Sequence, residues 1–221
     1  MDKVGLIFDM DGVVVNNHYY HCLSWIEFSK RYGYTVTEED VISWFGSKND
    51  EILTSLFGRK LKSIEILQLG NEKELIYREL YSDHVEEVPG LTSFLDDIPG
   101  NQAITGLATS APSQNVEFIL QLTGLQGRFQ VITDAEKVRN GKPDPEIFLV
   151  TAGKMGLKPE NCIVFEDSFL GIRAARSAGM SVVGIATTHS IDKLKDTDLA
   201  LEDFRSVNFD HIKQILKNEM P

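Results

Sequence analysis

The chain has 221 residues, 42% hydrophobic and 25% charged, which is typical of a globular protein with room for a sizeable core. Its formal net charge of −11 works against general attraction to nucleic acid or to an anionic membrane surface. Cys22 and Cys162 have neither metal-ligand nor redox spacing, and no apolar run approaches the length of a membrane span. Because no signal peptide precedes the first predicted strand, we expect a cytoplasmic enzyme or binding protein.

The first predicted element is a short buried strand that ends in two carboxylates. An apolar run over residues 6–8 leads into Asp9 and Asp11, which face the same side if the backbone stays extended through Met10. Gly12 then allows the chain to turn. Neighbouring carboxylates repel each other, so one interpretation is a site for a divalent cation such as Mg²⁺. The other is a polar turn that closes the strand, and this stretch alone does not distinguish the two.

Residues 16–84 form a predicted helical insertion, because apolar side chains recur there at helical spacing and strand-like runs are rare. Four glycines are expected to divide the insertion into short helices: Gly33, Gly46, Gly58 and Gly70. The connections at residues 15–17 and 84–89 are the expected hinges to the rest of the chain.

From residue 88 onward, predicted strands alternate with amphipathic helices. The strands are 103–108, 130–133, 162–165, 181–185 and 199–201. The helices are 91–97, 113–123, 145–155, 170–178 and 209–217. This alternation predicts an α/β fold with a parallel sheet covered on both faces, whose functional site lies at the carboxyl ends of the strands.

Polar residues follow the predicted strands as that rule requires: Asp9 and Asp11, Thr109 and Ser110, Glu166 and Asp167. Lys142 precedes a proline in the loop before the helix at 145–155, and Asp144 can cap that helix. Taken singly, each of these features has a simpler interpretation. Lys142 could be a surface lysine, the Thr-Ser pair a helix cap, and the Glu-Asp pair the acidic start of a helix. Taken together, polar residues at the ends of several parallel strands favour a functional site.

These residues suit phosphoryl transfer if Asp9 attacks phosphorus and forms an aspartyl phosphate. Lys142 is then a fixed cation that neutralises charge on the phosphoryl oxygens. Asp11 is placed to protonate the leaving oxygen and later to deprotonate water.

The remaining polar pairs supply the other groups that this reaction needs. The Thr109 hydroxyl and the Ser110 backbone N–H are candidates for binding phosphoryl oxygens, because a predicted helix begins shortly after them. Glu166 and Asp167 offer the oxygen ligands that Mg²⁺ prefers. On this hypothesis all of these side chains meet at one site.

Four motifs occur in order along the chain: FDMDGV at 8–13, ATS at 108–110, GKPDPEIF at 141–148 and FEDSFLGIRAARSAG at 165–179. Together they resemble the haloacid dehalogenase superfamily of phosphohydrolases, and the resemblance covers nearly the whole chain. It implies a Rossmann-like core formed by residues 1–15 and 85–221. Residues 16–84 are then an inserted α-helical cap domain.

The resemblance also implies roles for the polar residues. Asp9 would be the nucleophile and Asp11 the general acid and base, with Thr109 and Lys142 binding phosphate. Mg²⁺ would be held by oxygen ligands of four residues: Asp9, Asp11 through its main-chain carbonyl, Glu166 and Asp167. The presence of Asp11 favours phosphoryl transfer over dehalogenation, because members that remove halogen lack this second aspartate.

The cap resembles the branch that includes β-phosphoglucomutase and small sugar phosphatases. His21, Lys48 and Lys73 match cap motifs of that branch and are candidates for substrate binding, together with Ser110. A cap lysine could meet a second anionic group of the substrate, but Lys48 and Lys73 could equally be exposed to solvent, and His21 could be a hinge or core histidine. The Pro-Ser pair at 112–113 lacks the cation that the mutase carries there, which weakens the mutase interpretation.

We therefore expect a Mg²⁺-dependent phosphatase that acts on a small phosphorylated metabolite, a sugar phosphate, through an aspartyl-phosphate intermediate. The first alternative is a β-phosphoglucomutase-like phosphosugar mutase. The second is a non-catalytic module that binds a phosphorylated ligand or a protein, against which the presence of both a nucleophile and an acid argues. We expect a cytoplasmic monomer with no nucleic-acid or membrane partner.

Overall fold

The computed structural model describes residues 3–217, which contain a six-stranded parallel sheet. The strands are β1 (Val4–Phe8), β2 (Ala103–Ala108), β3 (Val131–Thr133), β4 (Cys162–Glu166), β5 (Ser181–Ile185) and β6 (Leu199–Leu201). Their order across the sheet is β3-β2-β1-β4-β5-β6, and each neighbouring pair is parallel. The first strand of the sequence, β1, therefore lies inside the sheet, with β2 and β3 on one side and β4, β5 and β6 on the other.

The α-helices connect and cover these strands. They are α1 (His18–Arg31), α2 (Glu38–Trp44), α3 (Asn49–Phe57), α4 (Ser63–Tyr81), α5 (Leu91–Asp97), α6 (Ser113–Thr123), α7 (Glu146–Met155), α8 (Phe169–Ser177) and α9 (Phe209–Lys213). The strands and helices predicted beyond residue 88 are present, with ends shifted by no more than one residue except at α9, which is shorter and is followed by a 3-10 turn.

Alternate side chains of the central strand enter two separate hydrophobic cores. Leu6 and Phe8 belong to the core on one face of the sheet, where Phe8 stacks on Phe165 with ring centroids 4.4 Å apart. Ile7 and Val164 belong to the core on the other face. Because β1 is buried on both of its faces, its sequence is a continuous apolar run. The prediction of an α/β fold with a parallel sheet covered on both faces is confirmed.

Helices α1 to α4, here called the cap helices, build a third core of their own. Trp25 and Phe28 of α1 pack in it with Leu53 of α3 and Ile76 of α4. The helical insertion is thus present. The exact boundaries stay a prediction: 1–15 and 85–221 for the core domain, 16–84 for the cap domain. Residues 1–2 and 218–221 of that predicted core lie outside the described residues.

One glycine does not end a helix as predicted, because α4 runs straight through Gly70. The other three follow the ends of their helices with positive φ: Gly33, Gly46 and Gly58. A glycine inside a helix costs about 1 kcal/mol relative to alanine. Burial of Ile76, Tyr77 and Tyr81 along the same helix outweighs that cost.

The two connections between the cap helices and the sheet run side by side. Val15 and Glu87 form an antiparallel bridge, and the Val88 N–H donates to the Val14 carbonyl at 2.9 Å. Both connections coincide with the predicted hinges. Across residues 3–217, no helix combines the length and the apolar character that crossing a lipid bilayer requires.

Candidate active site

The carboxyl ends of β1 and β4 lie side by side at the topological switch point, where the strand order reverses and where open α/β sheets bind ligands. Asp9 follows β1, Glu166 ends β4 and Asp167 comes next. Phe8 pairs with Phe165, and the Asp9 N–H donates to the Phe165 carbonyl at 3.0 Å. The three acidic side chains are buried, and one oxygen of each lies within 4.8 Å of the others. The sheet thus brings together three of the predicted site residues.

Lys142 is a buried cation next to these carboxylates. Its Nζ lies 3.0 Å from Asp9 Oδ1 and donates a hydrogen bond to Glu166 Oε1. Burial disfavours the ammonium charge, but Asp9 and Glu166 outweigh burial and raise the pKa of Lys142. With 2% of its surface exposed, Lys142 is not the surface lysine of the simpler interpretation.

Glu166 is fixed at the start of α8 by hydrogen bonds to one of its oxygens. Its Oε2 accepts from the backbone N–H groups of Asp167 and Ser168 at 2.8 Å each, and from Ser168 Oγ at 3.0 Å. Ser168 Oγ in turn accepts from the Gly171 N–H at 3.1 Å and caps the helix. A Cβ atom on Gly171 would overlap Glu166 Oε1, so only glycine leaves room for this carboxylate.

The carboxylates of Asp9, Glu166 and Asp167 fit a hard divalent cation. Burial raises the pKa of Asp9 well above its ordinary value, against the opposing charge of Lys142. Asp9 Oδ1 also has no hydrogen-bond partner of suitable geometry within the part of the chain that the structure describes. A cation with oxygen ligands would neutralise the excess negative charge and satisfy this oxygen.

Asp11 lines the same cavity as Asp9 and is held as a carboxylate. Asn17 Nδ2 donates to Asp11 Oδ1 at 2.6 Å, and His21 Nε2 lies 3.6 Å from the same oxygen. Burial alone would raise the pKa of Asp11, but His21 and the hydrogen bond from Asn17 lower it to about 2. In this arrangement Asp11 is ionised at neutral pH.

Thr109 and Ser110 follow β2 and line the cavity. Thr109 Oγ1 accepts from the Ala111 N–H at 3.1 Å, which leaves its own proton available for an anion in the cavity. The Ser110 hydroxyl instead donates to the Gly46 carbonyl at 2.7 Å. Because Gly46 follows α2, this bond joins the cap helices to the sheet edge.

A cavity of about 60 Å³ lies between the sheet edge and the cap helices. Its walls include Asp9, Asp11, Thr109, Ser110 and Asp167 from the sheet side, and His21, Trp25, Asn49, Lys73 and Glu74 from the cap side. The predicted nucleophile, the predicted acid and the predicted metal ligand Asp167 thus face one space.

Lys73 and His21 reach this cavity from the cap helices. Lys73 Nζ lies 2.9 Å from His21 Nδ1 and 3.0 Å from Glu74 Oε1, and Lys73 is 1% exposed. The His21 ring stacks on Tyr77 with centroids 4.0 Å apart. Burial lowers the pKa of His21, and the charge of Lys73 adds to that effect. The alternative that Lys73 is exposed to solvent is therefore excluded.

Lys48 is not brought to the cavity. Its Nζ donates to the Val138 carbonyl at 3.1 Å, and the next residue, Asn49, lines the cavity instead. Lys48 is the extended residue just before α3, whereas Asn49 is the first helical residue. A substrate-binding role of Lys48 stays a prediction, and this arrangement does not support it.

Comparison with known protein families matches residues 6–185 to the model of haloacid dehalogenase-like hydrolases. The matched range contains the ends of β1, β2 and β4 and Lys142. The chain belongs to the haloacid dehalogenase-like hydrolase family. As a member of this hydrolase family, it is an enzyme.

Two curated relatives and one solved structure illustrate this membership. Fructose-1-phosphate phosphatase YqaB from Escherichia coli (strain K12) is 33% identical over 181 residues, or 82% of this chain and 95% of the relative. Beta-phosphoglucomutase from Bacillus subtilis (strain 168) is 32% identical over 187 residues, or 81% of this chain and 82% of the relative. The crystal structure of beta-phosphoglucomutase from Clostridium difficile matches with a TM-score of 0.86 at 31% identity, covering 99% of this chain and 98% of that one.

Three residues at the site of this haloacid dehalogenase-like hydrolase were not singled out from the sequence: Asn17, His18 and Glu74. His18 Nε2 lies 3.0 Å from Asp167 Oδ2, and Asn17 binds Asp11. Asn17 and His18 follow the first motif by four and five residues, and this nearness to Asp9 and Asp11 is the signal that could have identified them. Glu74 shares a helical stripe with Tyr77 and Tyr81, and that spacing predicts burial of its charge.

Proposed function

We propose that this enzyme is a Mg²⁺-dependent phosphatase that hydrolyses the phosphate monoester of a small metabolite, a sugar phosphate. The observation that carries the proposal is the convergence of Asp9, Asp11 and Lys142 on one edge of the sheet, beside an acidic group that fits a divalent cation. The names of the relatives that act on fructose 1-phosphate and on phosphoglucose support the substrate class.

In the first half of the reaction, a carboxylate oxygen of Asp9 attacks phosphorus and the ester P–O bond breaks. The leaving oxygen takes a proton from Asp11. Lys142, 3.0 Å from Asp9 Oδ1, reduces repulsion between the nucleophile and the phosphate dianion. The Thr109 hydroxyl, whose hydrogen is not used within the site, donates a hydrogen bond to a phosphoryl oxygen.

In the second half, the Asp11 carboxylate takes a proton from water, and the water oxygen attacks the phosphorus of the aspartyl phosphate. The bond between phosphorus and Asp9 breaks, inorganic phosphate leaves, and Asp11 is protonated again. The hydrogen bond from Asn17 favours the carboxylate that this half needs. A phosphate dianion beside Asp11 raises its pKa, because nearby negative charge favours the protonated form that the first half needs.

Asp9, the main-chain carbonyl of Asp11, and Asp167 would hold Mg²⁺ in this proposal, with Glu166 as the fourth predicted ligand. The cation, when bound, neutralises charge on the phosphoryl group. The oxygens of Glu166 already accept from Lys142, Asp167 and Ser168, so this carboxylate also orients the residues around it. The buried acidic group supports the assignment, as does Asp9 Oδ1, which pairs with the charge of Lys142 but accepts no hydrogen bond of suitable geometry from the described residues.

Beta-phosphoglucomutase activity is the second candidate. The TM-score of 0.86 against a beta-phosphoglucomutase favours it, as does 32% identity to another. A mutase must hold phosphate groups at both ends of a bisphosphate, and the Pro-Ser pair at 112–113 offers no cation for the second. A module that binds a phosphorylated ligand without turnover is the remaining alternative.

The test is one reaction that contains β-glucose 1-phosphate, Mg²⁺ and a trace of glucose 1,6-bisphosphate, with a parallel reaction on fructose 1-phosphate. Free phosphate and glucose 6-phosphate are measured together. Release of free phosphate supports the phosphatase, whereas glucose 6-phosphate without free phosphate identifies a mutase. Absence of turnover on these and a wider panel of phosphate esters overturns both and favours the binding module.

We also propose that residues 16–84 act as a cap domain on the core, and that the enzyme works as a monomer in the cytoplasm. The separate hydrophobic core of the cap helices and the paired hinges at Val15 and Glu87 support the first statement. Gel filtration and fractionation of cells test the other two.

A further inference from the structure

The cap side of the cavity carries a buried ion pair between consecutive residues of α4. Lys73 Nζ and Glu74 Oε1 lie 3.0 Å apart, and both residues are buried. Among the described residues that line the cavity, Lys73 is the one lysine or arginine. Its charge is therefore the fixed positive charge on which a second anionic group of a substrate would depend.

Glu74 is held in place by two side-chain amide groups, one from the cap helix α3 and one from α6, which follows β2. Asn49 Nδ2 of α3 donates to Glu74 Oε1 at 2.7 Å, and Asn115 Nδ2 of α6 donates to Glu74 Oε2 at 2.7 Å. Burial opposes its ionisation, but Lys73, His21 and these amides lower the pKa of Glu74 below its ordinary value. Glu74 is therefore a rigid, charged carboxylate beside the cap lysine.

We propose that Glu74 determines specificity by cancelling the charge of Lys73, so that the cavity accepts monophosphates with an uncharged, hydroxylated distal end and rejects bisphosphates. This inference rests on the proposed phosphatase function. It assigns to Glu74 a role that the sequence motifs did not indicate.

Charge balance gives the physical reason. A second phosphate group at the cap side would approach Glu74 as well as Lys73, and like charges placed together at a desolvated site oppose binding. A carboxylate offers about four acceptor positions, and three donors occupy Glu74 here. A sugar hydroxyl can donate to the position that remains, whereas a phosphate dianion cannot.

The test compares the Glu74→Gln variant with Glu79→Gln, which makes the same change at an exposed position of the same helix. Values of kcat/KM are measured for fructose 1-phosphate and fructose 1,6-bisphosphate with Mg²⁺. We expect Glu74→Gln to raise the bisphosphate-to-monophosphate ratio by about tenfold or more, because Lys73 becomes free to pair with phosphate. Glu79→Gln should leave the ratio unchanged.

Binding of the two ligands is also measured by calorimetry in the presence of Mg²⁺. For this assay each protein carries the additional substitution Asp9→Asn, so that ligand is not consumed and the readout is independent of turnover. A ratio unaltered by Glu74→Gln in both assays overturns the inference and leaves the phosphatase function standing. A shifted binding ratio without turnover by the enzyme overturns the phosphatase function and keeps the role of Glu74. Absence of binding by both ligands overturns the inference, whereas the phosphatase function is then decided by turnover on the wider panel of phosphate esters.

A second variant keeps the inference testable if Glu74→Gln does not fold, as checked by thermal unfolding. Lys73→Met removes the cation and leaves Glu74 without its partner. We expect the bisphosphate-to-monophosphate ratio to fall below that of the unmodified enzyme by about tenfold. A ratio that rises in this variant contradicts the role of Glu74.

Discussion

Asp9 is the residue on which the proposed covalent mechanism depends, and Asp9→Asn removes the proposed nucleophile at nearly constant volume. We expect kcat for phosphate release to fall by about a thousandfold or more. The free energy of unfolding should not fall, because the substitution removes one of several buried negative charges and Lys142 keeps its hydrogen bond to Glu166. Near-normal kcat would contradict the covalent step. Asp83→Asn, at an exposed position, is the control.

Asp167 offers a test of metal binding that does not depend on turnover. A ligand that binds only the folded state raises the free energy of unfolding. We expect Mg²⁺ to raise the midpoint of thermal unfolding of the unmodified enzyme and of Asp83→Asn, and to leave that of Asp167→Asn nearly unchanged. An equal rise in Asp167→Asn would show that Mg²⁺ does not use this carboxylate.

At the scale of residues, the sequence indicated the side chains that follow strands but not those that support them. Asp9, Asp11 and Asp167 could be found because strand ends meet at one edge of a parallel sheet. Asn17 binds Tyr77 across 60 positions of sequence, and such a pairing depends on how the cap helices pack. The direction of the Lys48 side chain depends on where α3 begins, which residue types alone do not fix.

Helix α8 depends on a glycine that makes room for Glu166, and Gly171→Ala tests this. The added Cβ would overlap Glu166 Oε1, so we expect loss of phosphatase activity and a fall in the free energy of unfolding of about 2 kcal/mol or more. The matched control is Gly153→Ala in α7, where an added Cβ meets no atom within 4 Å. That substitution should stabilise the protein by about 0.5–1 kcal/mol. Urea unfolding measures both, and equal effects would contradict the steric argument.

Helix α4 carries the ion pair whose contribution to stability depends on pH. The folded-state pKa of Glu74 lies below its ordinary value of 4.5, so its contribution is present above that value and is lost as pH falls through the folded-state pKa. We expect Glu74→Gln to lower the free energy of unfolding by about 3–5 kcal/mol at pH 7. The difference from the unmodified enzyme should shrink below pH 4.5, as followed by urea unfolding. A difference that grows there would show that Glu74 is protonated in the folded state.

At the scale of elements, the strands and most helices could be predicted, because their periodicity reports burial on one or both faces. The break predicted at Gly70 was wrong, since one glycine does not outweigh the packing of a long helix. The length of α9 was overestimated, because the predicted range 209–217 also includes the short 3-10 turn Ile215–Lys217, whose apolar residues continue the helical spacing. Periodicity therefore locates elements better than it locates their ends.

At the scale of the whole molecule, the cavity must enlarge to admit a substrate. Its volume of about 60 Å³ suits a few water molecules, whereas pockets for small ligands span roughly 300–1,000 Å³. The hydrogen bonds that join the cap helices to the rest of the chain include Ser110 to Gly46, Lys48 to Val138 and Asn115 to Glu74. Opening of the cap helices away from the sheet edge breaks these bonds.

The net charge of −11 predicts how salt affects encounter with an anionic substrate. Repulsion between like charges slows association, and salt screens it, because the Debye length falls from about 30 Å at 0.01 M to about 8 Å at 0.15 M. We expect kcat/KM for a sugar phosphate to rise by about twofold across this range at constant free Mg²⁺, with kcat unchanged. A fall in kcat/KM would show that local cations, and not the net charge, govern encounter.

The strand order also bears on how the chain folds as it leaves the ribosome. β1 is synthesised first, but its partners β2 and β4 begin at Ala103 and Cys162. The cap helices, whose hydrophobic core draws on residues 22–76, emerge in between and can pack before either partner exists. Asp9 thus follows an unpaired strand until residues 103–108 have been synthesised, whereas the cap helices that later cover it are complete before then. The cap helices can therefore fold before the sheet edge that carries the candidate active site has formed.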